Sequence, residues 1–514
     1  MKDDTKVDLS DDFEDTFEVP LNRLGKFRQF TATLIVNIST IMMGTVNGWM
    51  APVQPLLMSN HSPVGRRLTD SEISWVGSVP YMGGIFGLLV WARAADLIGR
   101  KGAGYLIALP FIICWTILLT CDSYWSIAIA RFIAGFGETG VLVNVPLYVG
   151  EISSDKLRGP LGMSLVLFLN LGYLLSFLFG SVLNYYQFNL FCLSFPLIYL
   201  AMFVFLPETP NYLLLNDREE EAKKSLLYFN GDSAASIDYE FKLLEALASD
   251  GESSQCRISD LYNKKSTLKA FVIGLVLVIG QQITGIGIML TYTVAIFSET
   301  GTAVSPNVCS VIVGIIMLVG SAGSCVLINR LGRKFLLILS YLGMALSVFA
   351  LSVCFIFDKS DWFVHTKYST YLPLFSYSLA VVFYSLGVGP VIYVLCSEML
   401  PSSVRNLATS IIITLGTFFT FATVKLFPTM LSFFGYFGTF SSYAVSGVLI
   451  SLFCYLCVPE TKNKSFSEII EALENHSTDL SSKSQMIYVK FVGFVTPVVT
   501  PIIGQRRTFS LSSQ

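Results

Sequence analysis

Charged residues recur in the same order in the two halves of this chain, and their chemistry is that of ion pairs. The repeated sets are the stretches 96–101 (DLIGRK) and 329–334 (NRLGRK), the pairs Glu151/Arg158 and Glu398/Arg405, and the PET stretches 207–209 and 459–461. Carboxylates and guanidinium groups at helix ends form strong, charge-assisted hydrogen bonds. Pairs of this kind between neighbouring helices can hold one conformation closed and break in another. A gating role is therefore predicted for Asp96, Arg100, Glu151, Arg158, Arg333, Glu398 and Arg405; the alternative is that each loop carries its charge only as a topology signal.

Two further charges lie inside an apolar stretch. Glu138 follows Arg131 by seven residues, or two helical turns, so the side chains share roughly one helix face about 10 Å apart. An acid within a bilayer is costly unless it is paired or functional. Two interpretations stay open: Glu138 pairs with Arg131 or a neighbour, or it exchanges protons or contacts a ligand.

The elements that position these charges are predicted to cross a membrane. Of 514 residues, 53% are hydrophobic and only 14% are charged, and the mean hydropathy is +0.62. This is more apolar surface than a soluble core can hide. Runs of about 20 apolar residues predict about twelve spans. They lie near 29–50, 72–95, 103–120, 125–149, 160–184, 189–206, 269–295, 306–328, 335–357, 372–396, 407–430 and 436–458.

The repeat divides these spans into two halves. The predicted fold is an all-α membrane protein with about twelve transmembrane helices in two pseudo-symmetric six-helix bundles. The predicted domains are a cytoplasmic tail 1–28, a bundle 29–206, a cytoplasmic linker 207–268 with short helices, a bundle 269–458 and a cytoplasmic tail 459–514. Basic residues concentrate on one face, so both termini are predicted to be cytoplasmic. The first span is expected to act as an uncleaved signal anchor, and the apolar stretch 486–504 to lie on the membrane surface or be disordered.

Several function classes are not favoured. The net charge is −2 and no dense basic patch is present, so no nucleic-acid partner is predicted. His61, His365 and His476 fall in predicted loops or the tail, so neither a metal site nor a catalytic base is expected within the bilayer. We therefore expect that the protein is not an enzyme and uses no cofactor. The expected partner is the lipid bilayer, and no protein partner is evident. Asn60 begins an Asn-His-Ser glycosylation acceptor, which is weakened by the following Pro63.

The motifs resemble those of the sugar porters of the major facilitator superfamily, over nearly all of residues 25–470. The resemblance rests on the stretches 131–135 (RFIAG), 146–151 (PLYVGE), 158–159 (RG), 207–210 (PETP), 281–285 (QQITG), 387–390 (GVGP) and 459–462 (PETK). The stretches 44–49 (GTVNGW) and 424–428 (VKLFP) are similar to the insect facilitated trehalose transporter-like branch. The resemblance implies two six-helix halves that rock about a midplane sugar site and expose it alternately to each side.

The resemblance also implies a binding site. Gln281 and Gln282 match the family's sugar-binding glutamine pair, and each amide offers donors and an acceptor to vicinal hydroxyls. The alternative is that both glutamines only pack between helices. Other pocket residues that the resemblance implies are replaced in this chain. The expected glutamine, asparagine, tryptophan and asparagine correspond to Val166, Gly287, Tyr393 and Gly416. Asn170 and Tyr292 are expected to supply substitutes, and Tyr393 an aromatic contact. The gate motif also departs from the family's pattern. Leu97 stands where the family usually has an arginine, and Asn329 stands where it usually has an acid.

These expectations combine into a predicted function. The chain is expected to be a plasma-membrane carrier for a sugar, either trehalose or a hexose. Residues 29–50 contain no carboxylate, whereas proton-linked members of the family place an acid there, so facilitative uniport is favoured. Two alternatives stay open, a proton-coupled symporter that uses Glu138 and a non-transporting nutrient receptor built on a carrier fold.

Overall fold

The computed structural model describes residues 22–230, 241, 260–357 and 371–479. Its helices, in chain order, are α1 Arg23–Leu57, α2 Asp70–Thr120, α3 Tyr124–Ile152, α4 Asp155–Gly162, α5 Ser164–Val182, α6 Tyr185–Phe203, α7 Pro210–Leu215, α8 Glu219–Asn230, α9 Asp260–Asn263, α10 Lys265–Ile283, α11 Ile286–Thr291, α12 Thr293–Ser298, α13 Pro306–Leu331, α14 Arg333–Phe357, α15 Leu372–Phe383, α16 Gly389–Met399, α17 Ser402–Cys457 and α18 Phe466–Asp479. His365 and the stretch 486–504 lie outside the described residues, as do most of the linker and both chain ends.

Ten helical stretches among the described residues are long and apolar enough to cross a membrane, and two of them contain two spans each. α2 has 51 residues and α17 has 56. A straight helix of that length would extend about 75 Å or more, against a hydrocarbon core of about 30 Å. Each is broken by a glycine with positive φ, Gly99 at 83° and Gly435 at 65°. The described part of the chain therefore contains twelve spans, as the hydrophobic runs predict.

Local sequence explains where several spans begin and bend. Thr69, Ser123 and Asn184 each form a capping box at the start of a span. In the seventh span, Gly285 adopts the left-handed conformation and separates α10 from α11. The tenth span, α15 to α16, contains a π-helical turn over Tyr384–Val388. Irregular turns of this kind are common at functional sites.

Among the described residues, the spans pack as two bundles that meet along four main helix pairs. α1 contacts α11 and α12, α5 contacts α13, and α2 contacts α17. Within the first bundle α1 and α5 approach closely because Gly44 lies against Gly172; a Cβ at Gly44 would stand 2.7 Å from the Gly172 Cα. The all-α membrane fold with two six-span halves is thereby confirmed.

The molecule has two ends at which loops and turns connect the spans. We call the end with the loop between α1 and α2 the Arg66 face, and the end with the Gly99 turn the Arg100 face. In the half toward the Arg66 face the bundles touch: Lys425 Nζ of α17 lies 2.7 Å from Ser74 Oγ of α2. The Lys425 ammonium also lies 4.4 Å from the centroid of the Trp75 ring, which is 6.1 Å from Phe421. These contacts join the two bundles on that side.

Candidate functional site

A cavity of about 190 Å³ lies between the two bundles. A single water needs only about 10–15 Å³ by the same kind of measure, so the space suits a small polar solute. Both halves of the chain line it. The polar side chains of its wall are Asn47, Tyr81, Glu138, Thr139, Tyr173, Gln282, Tyr384, Tyr393, Thr417 and Thr420. Hydroxyls, amides and aromatic rings of this kind are what a sugar leaving water requires.

The two glutamines of the predicted pair have different positions. Gln282 lines the cavity, and its Nε2 donates to Gln281 Oε1 over 3.3 Å. Gln281 is 2% exposed, lies outside the cavity wall, and donates from Nε2 to the Val388 carbonyl over 3.2 Å. Gln282 is therefore placed to meet a ligand, while Gln281 joins the seventh span to the π-helical turn of the tenth.

Two of the predicted substitutes for missing polar groups also lie outside the cavity wall. Asn170 is buried and donates from Nδ2 to the Met317 carbonyl over 3.3 Å, which bridges α5 and α13 between the bundles. Tyr292 is buried, stacks on Phe427 at 5.0 Å, and donates to the Val424 carbonyl over 3.4 Å. Both side chains therefore hold helices together in this conformation.

Tyr393 does line the cavity and is 47% exposed, as an aromatic contact to a ligand requires. The positions where the family has amides are open: Gly287 and Gly416 both form part of the wall. A Cβ at Gly287 would stand 3.3 Å from Thr420 Cγ2 and 3.7 Å from Gln282 Oε1. The glycines thus widen the cavity beside Gln282 on the side of the second bundle.

Glu138 is a wall residue of the same cavity. Its side chain comes from α3 and is 6% exposed, and its Oε1 has no hydrogen-bond partner among the described residues. A buried acceptor left without a donor carries its full desolvation cost. Glu138 is therefore the one carboxylate of the described cavity wall, and it is oriented without a protein donor on that oxygen.

Arg131 directs its guanidinium to backbone carbonyls and forms no ion pair with Glu138 among the described residues, whereas a neighbour on α1, Asn47, hydrogen-bonds the Glu138 carboxyl. Nη1 donates to the Val46 carbonyl over 2.5 Å and Nε donates to the Val76 carbonyl over 3.3 Å. The guanidinium carbon also lies 5.3 Å from the centroid of the Trp49 ring. Arg131 thus ties α1 and α2 to α3, and Glu138 Oε1 is left without a donor among the described residues.

The repeated charges form two matching clusters on the Arg100 face. In the first bundle Arg100 Nη2 lies 2.9 Å from Glu151 Oε1, with the side chains 8% and 12% exposed. Asp96, which is exposed, lies 3.4 Å from Arg100 Nη1. In the second bundle Arg333 Nη2 lies 2.8 Å from Glu398 Oε1. Each glutamate–arginine pair therefore lies within its own bundle. A closed gate would instead be expected to have such pairs between the two bundles.

The two PET stretches complete these clusters. Glu208 accepts from the Lys101 amide at 2.9 and 3.0 Å. Glu460 accepts from the Arg333 and Lys334 amides at 2.9 and 3.1 Å. Each carboxylate thus satisfies the free amides that follow a positive-φ glycine. Burial raises the pKa of the Glu208 carboxyl, while the amide hydrogen bonds lower it, so this charge depends on its amide partners.

Arg158 and Arg405 occupy equivalent positions in the two clusters. Arg158 Nε donates to the Gly150 carbonyl over 3.3 Å, and Arg405 Nε donates to the Leu400 carbonyl over 3.2 Å. Each arginine therefore binds the C-terminal end of the preceding helix, where cations are stabilised. The two arginines reach different carbonyls, eight residues back for Arg158 and five for Arg405, so the duplication extends to their role at a helix end but not to the acceptor.

Several wall residues were not predicted as ligand contacts. These are Asn47, Tyr81, Thr139, Tyr173, Thr417 and Thr420. A sequence signal existed for Asn47, an amide in an apolar span, and for the Thr417/Thr420 pair, which lies at i, i+3 on one helix face. The tyrosines gave no such signal, because aromatic residues are also common in lipid-facing and packed positions.

The glycosylation candidate lies in the loop on the Arg66 face. Asn60 is exposed, and its Oδ1 accepts from Arg67 Nε over 2.7 Å. The hydroxyl-bearing residue of the acceptor, Ser62, is buried. Modification at Asn60 stays a prediction, and it requires this loop to release Ser62.

Comparison with known proteins places the chain in a family and agrees with the fold. The profile of the sugar (and other) transporter family matches residues 32–473. The facilitated trehalose transporter Tret1 of Polypedilum vanderplanki is 30% identical over 467 residues, covering 90% of this chain and 92% of that protein. Tret1 of Culex quinquefasciatus is 30% identical over 445 residues, covering 86% and 85%.

Solved structures show the same architecture. The inward-open xylose transporter XylE from E. coli superposes with a TM-score of 0.72 at 22% identity, over 87% of this chain and 99% of that one. The XylE proton:xylose symporter bound to 6-bromo-6-deoxy-D-glucose gives a TM-score of 0.69 at 22% identity, over the same shares. Taken with its paired bundles and its central cavity, the family match shows that the chain belongs to the sugar (and other) transporter family.

Proposed function

We propose that this protein is a facilitative carrier of trehalose or a hexose, located in the plasma membrane and working by alternating access. The observation that carries the proposal is the polar cavity between two bundles that contact each other on only some helix pairs. Gln282 offers an amide to substrate hydroxyls, and Tyr81, Tyr173, Tyr384 and Tyr393 offer ring faces. Trehalose is proposed because the Tret1 relatives are named for it.

The orientation follows from the distribution of basic residues. The Arg100 face carries Arg100, Lys101, Arg333, Lys334 and Arg405. By the positive-inside rule this face is cytosolic, so the Arg66 face is extracellular and both termini are cytoplasmic. In this arrangement the contacts of Lys425 with Ser74 and Trp75 close the extracellular side.

Uniport is proposed because the first span supplies no acid opposite Arg131. The guanidinium is instead satisfied by the carbonyls of Val46 and Val76, so it requires no titrating partner. Proton-coupled symport through Glu138 is the second candidate, favoured by the missing hydrogen-bond partner of Glu138 Oε1. A non-transporting receptor has no structural observation in its favour.

The test is uptake of labelled trehalose, glucose and a panel of other sugars into proteoliposomes that contain the purified protein. Protein-free liposomes and an L-sugar of the same size control for leakage. Saturable uptake that stops at equal internal and external concentrations supports facilitated transport. Failure to take up any sugar, by protein that is folded and correctly inserted, would refute the carrier assignment.

A further inference from the structure

The carboxylate of Glu138 faces a cavity, and its Oε1 has no donor among the described residues. Glu138 is only 6% exposed, and it shares the cavity wall with Asn47 and Thr139. Burying a charged acceptor without a donor costs more than burying a neutral one. A donor from within the cavity is therefore required to stabilise this arrangement.

Among the described residues, no protein group supplies that donor to Glu138 Oε1. Arg131, the nearby cation on the same helix, donates to the carbonyls of Val46 and Val76 and lies over Trp49. The cavity wall, as formed by the described residues, contains neither lysine nor arginine. Asn47 Nδ2 donates to the Met43 carbonyl over 3.1 Å within its own helix, and the Asn47 side chain also hydrogen-bonds the Glu138 carboxyl, which leaves Oε1 as the oxygen without a donor among the described residues. What remains to donate is the molecule that fills the cavity.

We infer that Glu138 is a substrate-binding residue that accepts hydrogen bonds from hydroxyls of the carried sugar and so sets its specificity; this rests on the proposed function. A carboxylate only accepts, and its two oxygens can take two neighbouring hydroxyls. Such charge-assisted bonds are about twice as strong as neutral ones. Gln282, across the cavity in the second bundle, binds the same ligand with an amide.

The arrangement defines the ligand class. A neutral polyol with free hydroxyls toward α3 satisfies Glu138, while Gly287 and Gly416 leave room beside Gln282 for a second ring or a substituent. A ligand that carries an ether or a deoxy carbon at the α3 end would leave the carboxylate without a donor. Specificity therefore depends on hydroxyls that face the first half of the protein.

The experiment measures how monodeoxy and mono-O-methyl glucose analogues compete with uptake of labelled D-glucose or trehalose in proteoliposomes. In the wild type, altering the hydroxyl at one position, or at either of two adjacent positions, is expected to weaken competition about tenfold or more. In Glu138→Gln the parent sugar itself is expected to bind more weakly than it binds the wild type. The same analogues should then bind that variant about as well as the parent sugar does. Glu138→Asp keeps the charge and is expected to restore part of the discrimination, which separates binding from folding.

Glu72→Gln is the matched control, because this substitution also removes a carboxylate. Glu72 lies outside the cavity, where its Oε1 is 2.5 Å from Arg66 Nη2. This variant should keep the wild-type analogue pattern. The same fold-loss for every analogue in wild type and Glu138→Gln would overturn the inference while leaving the carrier function intact. Proton uptake that accompanies the sugar and vanishes in Glu138→Gln would also overturn it. Absence of sugar uptake by the wild type would overturn the proposed function and this inference together.

Discussion

At the scale of single residues, neighbours in sequence have separate roles here. Gln281 and Gln282 differ by one position, or about 100° around the helix, which directs one amide to the π-helical turn and the other to the cavity. Arg131 and Glu138 share a helix face, yet the arginine binds backbone carbonyls and the carboxylate lines the cavity. What each side chain does depends on the groups that other helices bring to it.

Gln282→Leu should weaken transport without loss of folded protein. It removes an amide that faces the ligand, so we expect a cost of about 1–3 kcal/mol per lost hydrogen bond, seen as a higher half-saturation concentration. The check is the concentration dependence of uptake, normalised to inserted protein.

Gln281→Leu is the matched control for that change. It leaves the Val388 carbonyl without its donor, so it should lower thermal stability more than it alters the half-saturation concentration. Unchanged transport in the double leucine variant would remove the proposed site.

At the scale of elements, the turns of the Arg100 face are built twice in the same way. A positive-φ glycine ends one span, the next span starts with free amides, and a glutamate of a PET stretch accepts from them. An arginine that follows the glycine then pairs with a glutamate at the end of another span. The motif therefore fixes the angle between consecutive spans as well as carrying charge.

Gly99→Ala should destabilise the protein. Gly99 has φ 83°, and an added Cβ would contact Glu208 Oε2 and Tyr212. At φ 83° and ψ 166° the backbone conformation alone costs a non-glycine residue about 1–3 kcal/mol, and displacement of Glu208 adds to that cost. The melting temperature of the purified protein in detergent measures the effect.

Gly150→Ala provides the comparison, since no atom lies within 4 Å of a Cβ added there. An alanine in that helical position should be neutral or slightly stabilising. Equal melting temperatures for Gly99→Ala and Gly150→Ala would contradict the proposed role of the turn.

At the scale of the whole molecule, the two faces close by different chemistry. The Arg66 face is joined by Lys425, Ser74 and aromatic rings from α2 and α17. The Arg100 face carries paired charges that lie within each bundle in this conformation. We expect the first set to separate as the bundles rock, and charges of the second set to meet across the interface when the Arg100 face closes.

Arg405→Ala and Lys425→Met should therefore shift the resting population in opposite directions. Arg405→Ala removes a cation available for pairs that close the Arg100 face, so that face should open more often. Lys425→Met breaks the contact with Ser74, so the Arg66 face should open more often. Labelling rates of cysteines introduced at each mouth report both shifts. Labelling rates that do not change in either variant would rule out these gates.

An imposed proton gradient should not drive sugar accumulation. The first span has no acid, and the bonds of Arg131 are satisfied by backbone carbonyls, so no proton-binding pair is built there. Uptake should follow the sugar gradient alone, which is measured in proteoliposomes with and without an inward proton gradient. Accumulation in the wild type that disappears in Glu138→Gln, while downhill exchange survives, would assign coupling to Glu138 and refute uniport.

The sequence by itself determined the membrane class, the twelve spans and the duplicated charge clusters. These follow from properties carried by short stretches: runs of apolar residues long enough to span a bilayer, and charges and glycines at their ends. The matching pairs Arg100–Glu151 and Arg333–Glu398 follow from the repeat itself, although their placement inside each bundle does not.

Only the tertiary structure decided which polar groups face the cavity. It places Asn170 and Tyr292 at helix contacts, Gln281 on a backbone carbonyl, and Glu138 at the cavity without Arg131. The rotation of a span about its own axis depends on packing against spans more than a hundred residues away. Because a span that is apolar on nearly all sides has little periodicity to reveal that rotation, local sequence does not specify which side chains meet a ligand.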